Sequence, residues 1–216
     1  MVVRRGQNWG SIGTPPPSTP FARDDAHAGQ LIEQGVREFI LASGDLARTL
    51  GASFPSPGCS YRRLPIDLVR VCVVDSRGLS THQLSMSHCL IHRRLLGGGL
   101  LRGRITAICN SQYLHGRDIA PRGHPNDGKI EVVEFSGDLS IRQRLLVLKR
   151  MKTGDHLPHP LIQFRQISDQ TTLNAKGIVV LDGCRIGSRI VRYVEPLRDE
   201  VVVWVAAPIG ARETHD

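Results

Sequence analysis

The chain is poor in aromatic residues, has no paired cysteine motif, and contains no apolar run long enough to cross a bilayer. Aromatics are 5% of its 216 residues, which argues against a platform that stacks bases on rings. The five cysteines, at 59, 72, 89, 109 and 184, form no CxxC pair. An odd number without a secretory signal points to free thiols in a reducing cytoplasm. No apolar segment follows the two N-terminal arginines, so neither a signal peptide nor a spanning helix is expected. A Walker-type GxxxxGK[ST], a GxGxxG and a GxSxG are also missing, which removes the P-loop, the dinucleotide fingerprint and the hydrolase elbow. The expected protein is cytoplasmic, soluble or peripheral at a membrane.

What is present is a hydrophobic fraction of 40% and a basic balance, 28 Lys and Arg against 20 Asp and Glu, for a net charge of +8. A chain of this size buries a sizeable core, and its surface attracts polyanions: nucleic acid, nucleotides or anionic lipid headgroups. Residues 1–20 are rich in Gly, Pro, Ser and Thr and read as a disordered leader. Leu31, Ile32, Val36, Phe39 and Ile40 recur at helix-like spacing, and residues 45–51 read as a short helix ended by Gly51. Residues 67–74, 104–110, 128–135, 161–167, 177–181, 190–194 and 200–206 read as strands bounded by Gly, Pro, Asn or Asp. Residues 80–96 are ambiguous. Residues 140–152 read as a helix with Leu145, Leu146 and Leu148 toward a core and Arg142, Arg144, Lys149, Arg150 and Lys152 outward. The expected fold class is α+β: a partial α/β region over 21–58, then a β-rich, sandwich-like domain with a crossing helix over 59–210.

Three ordered segments carry a resemblance. They are Ser43-Gly-Asp-Leu-Ala-Arg-Thr-Leu-Gly51, then Asn110-Ser-Gln-Tyr113 continuing through Ala120-Pro121 to Asn126-Asp-Gly128, then Leu181-Asp-Gly-Cys184. Together they resemble the lipid kinase family of bacterial diacylglycerol kinases and sphingosine kinases. That resemblance implies a kinase using ATP and Mg2+, with the lipid in a cleft between the two parts. It places Asp45 and Arg48 near the nucleotide phosphates, Asp127 near a structural Mg2+, and Asp182 and Cys184 at the catalytic position. The residues also have plainer readings: Asp45 as a helix N-cap, Arg48 as a solvated charge, and Asp127 as part of a tight hairpin turn.

Two departures from the family pattern bear on activity. Cys184 stands where the family has the Glu proposed as general base, and a thiol with an ordinary pKa of about 8.5 is mostly protonated at neutral pH. Residues 1–42 contain no Gly-Gly-Asp-Gly-Thr phosphate loop, and phosphoryl transfer depends on such positioning. The expectation is a degenerate or truncated lipid kinase, inactive alone, with a nucleotide-binding partner chain as one candidate source of the missing half. Gly97-Gly98-Gly99 reads as a flexible turn. His88 and His92 would share a helix face, but no acidic residue between Thr81 and Leu101 completes a metal site. The other class of reading is a noncatalytic lipid- or nucleic-acid-binding module. Nucleic acid is disfavoured by the scarce aromatics and the absence of a binding motif.

Overall fold

The computed structural model describes residues 9–93 and 101–207. The Gly97–Gly99 turn and the first eight residues of the expected leader lie outside that range.

Strand β1 (Ser11–Gly13) pairs antiparallel with β4 (Tyr61–Val74), so order begins inside the stretch whose composition predicts none. Its backbone groups are satisfied by the long strand beside it, which low side-chain hydrophobicity does not prevent. Strand β2 (Phe21–Ala22) leads into helix α1 (Asp25–Glu33), and strand β3 (Glu38–Leu41) leads into helix α2 (Asp45–Thr49). Phe39 and Ile40 therefore lie in a strand and not in a continuation of α1. The chain reverses at Gly35, whose φ of +88° is open to glycine without strain.

The remaining elements are β5 (Ser80–Ser85), β6 (His88–His92), β7 (Ile105–Cys109), β8 (Tyr113–Leu114), β9 (Arg117–Asp118), β10 (Ile130–Phe135), helix α3 (Ile141–Arg150), β11 (Ile162–Ile167), β12 (Thr171–Leu181) and β13 (Cys184–Ala206). The main sheet runs β1-β4-β13-β12-β6-β7-β10-β11, with β5 also on β4 and the parallel pair β2-β3 attached to β13. The two strands expected over 190–194 and 200–206 are one strand, β13. Register shifts between Val191 and Tyr193 and between Leu197 and Val201 bend it, as bulges do.

These breaks let one sheet serve three cores. Helices α1 and α2 pack with Phe39, Leu64, Ile66 and Val203 at one end. Val69, Val71, Ile108, Val132 and Val179 fill the middle. Ala107, Val133, Val147 and Met151 pack beneath α3. The architecture is α+β, mostly sheet, with a sandwich-like β portion.

Helix α3 forms where expected but presents a different face. Ser140 and Gln143 close a capping box at its start. Its buried side chains are Arg144 and Val147, followed by Met151, while Leu145 and Leu146 remain 55% and 48% exposed. Arg144 can be inside because its guanidinium donates to the carbonyl oxygens of Leu139, Gly103 and Ser136. Five donors in a rigid fork suit a cluster of loop carbonyls. The leucines are thereby turned outward.

Candidate functional site

The loop ends of α1, α2, β6, the β8–β9 hairpin and β12 converge on one open cleft of about 390 Å3. Each contributes a polar residue: Asp25, Asp45, His88, His115 and Asp182.

Asp24 caps α1, its Oδ1 accepting the backbone N–H of His27 at 2.9 Å. Asp25, next in the chain, is buried, and its Oδ2 accepts the N–H of Asp45 at 2.8 Å, binding the start of α1 to the start of α2. Its Oδ1 is buried without a hydrogen-bond partner. Burial first, then the neighbouring Asp182 carboxylate, pushes the Asp25 pKa up to about 7. Gly44, at φ +118°, is the only residue type that fits beside it, because a Cβ there would collide with the Asp25 carboxylate.

Asp45 reaches across to the β8–β9 hairpin. Its Oδ2 accepts the N–H of His115 at 2.6 Å and its Oδ1 that of Gly116 at 2.9 Å. His115 and Gly116 both have positive φ, 50° and 70°, as the two central residues of a type I′ turn must. Arg48, one turn further along α2, lies over the Tyr113 ring at 5.5 Å, which also braces the hairpin. The α2 carboxylate and guanidinium thus hold the His115 turn in place.

Asp182 is buried and is the most heavily bonded carboxylate in the cleft. It accepts from Ser85 Oγ at 3.0 Å and from the backbone N–H groups of Met86, Ser87 and His88 at 2.8, 2.8 and 2.9 Å. It ties the β12 end to the β5–β6 connection and fixes His88. Cys184 begins β13, half-buried, and is not among the residues lining the cleft.

Four of the five sequence-derived positions therefore have a clear setting: Asp45, Arg48 and Asp182 meet in the cleft, and Cys184 lies one residue beyond its lining residue Gly183. Asp127 is elsewhere. Its Oδ1 accepts the N–H of Lys129 at 3.0 Å, and the following Gly128 N–H bonds Asp67 Oδ2, the pattern of a side-chain-stabilised turn.

No sequence motif marks Asp25 or His115 as a site residue, and His88, which the sequence pairs with His92 on a helix face, reaches the cleft from a strand instead. Among the described residues, Asp25, Asp45 and His88 form the one group whose ligand atoms lie mutually within 4.8 Å, close enough to share a cation. Two carboxylate oxygens and an imidazole suit Mn2+ or Zn2+ as well as Mg2+, and the unpartnered Asp25 Oδ1 is a ready ligand. His88, a strand residue and not a helical one, has its pKa lowered chiefly by burial, which favours the neutral ring that metals need.

The strand–loop–helix that precedes the Ser43-Gly-Asp45 segment is β2, Arg23-Asp24, α1. It carries no Gly-Gly-Asp-Gly-Thr loop, and Asp25 is the first residue of its helix. A phosphate there would meet the Asp24 and Asp25 carboxylates, and the N–H groups of His27, Asp45 and Leu46 already have carboxylate partners. The cluster of Asp25, Asp45 and His88 is spaced for a cation, and a phosphate would meet these carboxylates through that cation and not directly.

A second cavity, about 250 Å3 and apolar, lies beneath α3 and is lined by residues including Leu90, Ile105, Leu114, Phe135, Val147 and Met151. His115 lines both spaces. The polar cleft and the apolar cavity are neighbours across one side chain.

No family model matches the sequence, and no curated protein sequence matches it. Solved structures do. A provisionally assigned diacylglycerol kinase from Bacillus anthracis str. Sterne aligns at a TM-score of 0.58 and 12% identity, covering 87% of this chain and 77% of that one. A diacylglycerol kinase structure from the same organism aligns at 0.54 and 13% identity, covering 87% and 75%. At such identity the likeness shows the fold: this chain has the architecture of bacterial diacylglycerol kinase structures.

Proposed function

We propose that the protein is a lipid-kinase-like binder of an amphiphilic lipid of the diacylglycerol or sphingoid type, without ATP-dependent phosphotransfer of its own. The polar headgroup would enter the Asp25–Asp45–His88–His115 cleft and the acyl chain the cavity beneath α3. The observation that carries this reading is His115, which lines both the polar and the apolar space. Ligand sites combine an apolar wall with a few convergent polar groups in this way.

A divalent cation held by Asp25, Asp45 and His88 would offset the cleft's carboxylates and supply positive charge for a headgroup oxygen. Asp45 and Arg48 would keep the His115 turn at the junction. Asp182 would act by fixing His88, and Cys184, with no fixed negative charge, would leave the general-base position of the family unfilled.

The test is transfer of labelled phosphate from Mg·ATP to diacylglycerol and sphingosine in mixed micelles, comparing the native chain with Asp45→Ala and Cys184→Glu. The expected result is no transfer by any of the three. Transfer by the native chain that Asp45→Ala abolishes would make the protein an active kinase with an unrecognised phosphate site.

A further inference from the structure

Helix α3 has two faces, and the outer one is unusual. Ile141, Leu145 and Leu148 fall at i, i+4 and i+7, an apolar stripe along one side of the helix, and all three are exposed together with Leu146. A soluble surface spends few leucines this way. Between and beside them stand exposed Arg142, Lys149 and Arg150, with the last two at the helix C-terminus, where the dipole favours cations.

The surroundings continue the pattern on both sides. At the α3 N-terminus, Arg142 joins Arg93, Arg102, Arg104 and Lys176 around an open groove of about 980 Å3 whose one acidic residue, among the described residues, is Asp138. Along the other side, Leu148 belongs at once to the exposed stripe and to the lining of the apolar cavity, and Leu101, exposed and outside the helix, lines that cavity too. The helix therefore lies between a basic groove and the mouth of a space that accepts hydrocarbon.

We propose that the outer face of α3, with the basic groove beside it, docks on an anionic lipid bilayer and sets the cavity mouth against the membrane. This rests on the amphiphile-binding reading above and adds the surface from which the lipid would be drawn. Charge chooses the occupant. Leucines interleaved with arginine and lysine match an interface whose headgroups are negative and whose interior is apolar. A second copy of this chain would set cations against cations.

The test is cosedimentation with phosphatidylcholine vesicles containing or lacking phosphatidylserine, paired with binding of dihexanoylglycerol, a soluble lipid that needs no membrane. The variants are Leu145→Glu/Leu146→Glu and Lys149→Glu/Arg150→Glu, neither of which alters a cavity-lining side chain, with circular dichroism as the folding check. The native chain is expected to bind phosphatidylserine vesicles, to bind pure phosphatidylcholine much less, and to release with salt. Each α3 variant should weaken vesicle binding by about tenfold or more and leave dihexanoylglycerol binding unchanged.

Vesicle binding that both variants retain, or no vesicle binding by a native chain that still takes up dihexanoylglycerol, overturns the docking face and leaves the lipid-binding reading standing. A native chain that binds neither overturns both. A concentration-dependent dimer abolished by Leu145→Glu/Leu146→Glu, with no vesicle binding, assigns the face to a second copy and also overturns the proposal.

Discussion

The carboxylate of Asp25 accepts the backbone N–H of Asp45 at 2.8 Å, so the first residue of one helix caps the first residue of the next. The same Asp25 keeps its other oxygen free of protein partners inside the cleft. One residue thus fastens the α/β end together and offers a ligand atom to whatever occupies the site.

That free oxygen, with Asp45 and His88 close by, makes a cation site testable. Titration with Mn2+, followed by electron paramagnetic resonance, should show one site in the native chain. Asp25→Asn and His88→Ala should each weaken it by at least about tenfold, the usual order for losing one ligand of a small set. Asp127→Asn, outside the group, should leave it unchanged.

Asp182 should prove structural. Replacing it with Ala leaves three backbone N–H groups and the Ser85 hydroxyl without their acceptor. A cost of about 3 kcal/mol or more is expected from the orphaned buried donors. Urea denaturation checks this; Asp182→Asn, which keeps one oxygen acceptor, should lose less.

Glu131 predicts a pH dependence. It is fully buried, its Oε1 accepts from Gln166 Nε2 at 2.9 Å, its Oε2 has no partner, and burial raises its pKa from 4.5 to about 7. A carboxyl whose folded pKa is raised holds its proton in the fold after the unfolded chain has lost it. Stability therefore falls as pH rises from about 4.5 to about 7, by roughly 3 kcal/mol from this group. Glu131→Gln should raise the melting temperature at pH 8 and change it little at pH 4, as read by thermal denaturation at the two values.

Arg144 should not tolerate a lysine. An ammonium cannot bridge the three carbonyl oxygens that the guanidinium fork reaches. Arg144→Lys should destabilise the chain by about 2 kcal/mol, measured by urea denaturation, with helix α3 the first segment to gain hydrogen exchange.

Much of the β portion was legible because its strands are short, Val- and Ile-rich and bounded by turn residues, as at Ile105–Cys109 and Ile130–Phe135. Strand β6 was not, since His88 to Ile91 are all buried and buried strands lose the alternation that marks them. Strand β3 was hidden because Phe39 and Ile40 continue the spacing of Leu31, Ile32 and Val36, and only the positive φ at Gly35 breaks the helix. The outward leucines of α3 have no signal in the helix periodicity, because an arginine ordinarily faces water, whereas here loop carbonyls fold around Arg144.

The candidate site was half visible. Asp45, Arg48 and Asp182 stood out through their motifs. Asp25, His88 and His115 came from three other elements, and no local pattern joins residues 25, 88 and 115. The available signal was the Asp24-Asp25 pair opening a helix after a short apolar strand, just ahead of Ser43-Gly-Asp45.

The proposed amphiphile site would place an acyl chain under α3 with its headgroup at His115. Photolabelling with a short-chain diacylglycerol carrying a diazirine at the acyl terminus tests it most directly, with labelled peptides read by mass spectrometry. Adducts are expected on cavity residues such as Leu114, Phe135, Val147 and Met151, competed away by unlabelled dihexanoylglycerol. Specific labelling confined to residues outside that cavity, or no competable labelling at all, would contradict it.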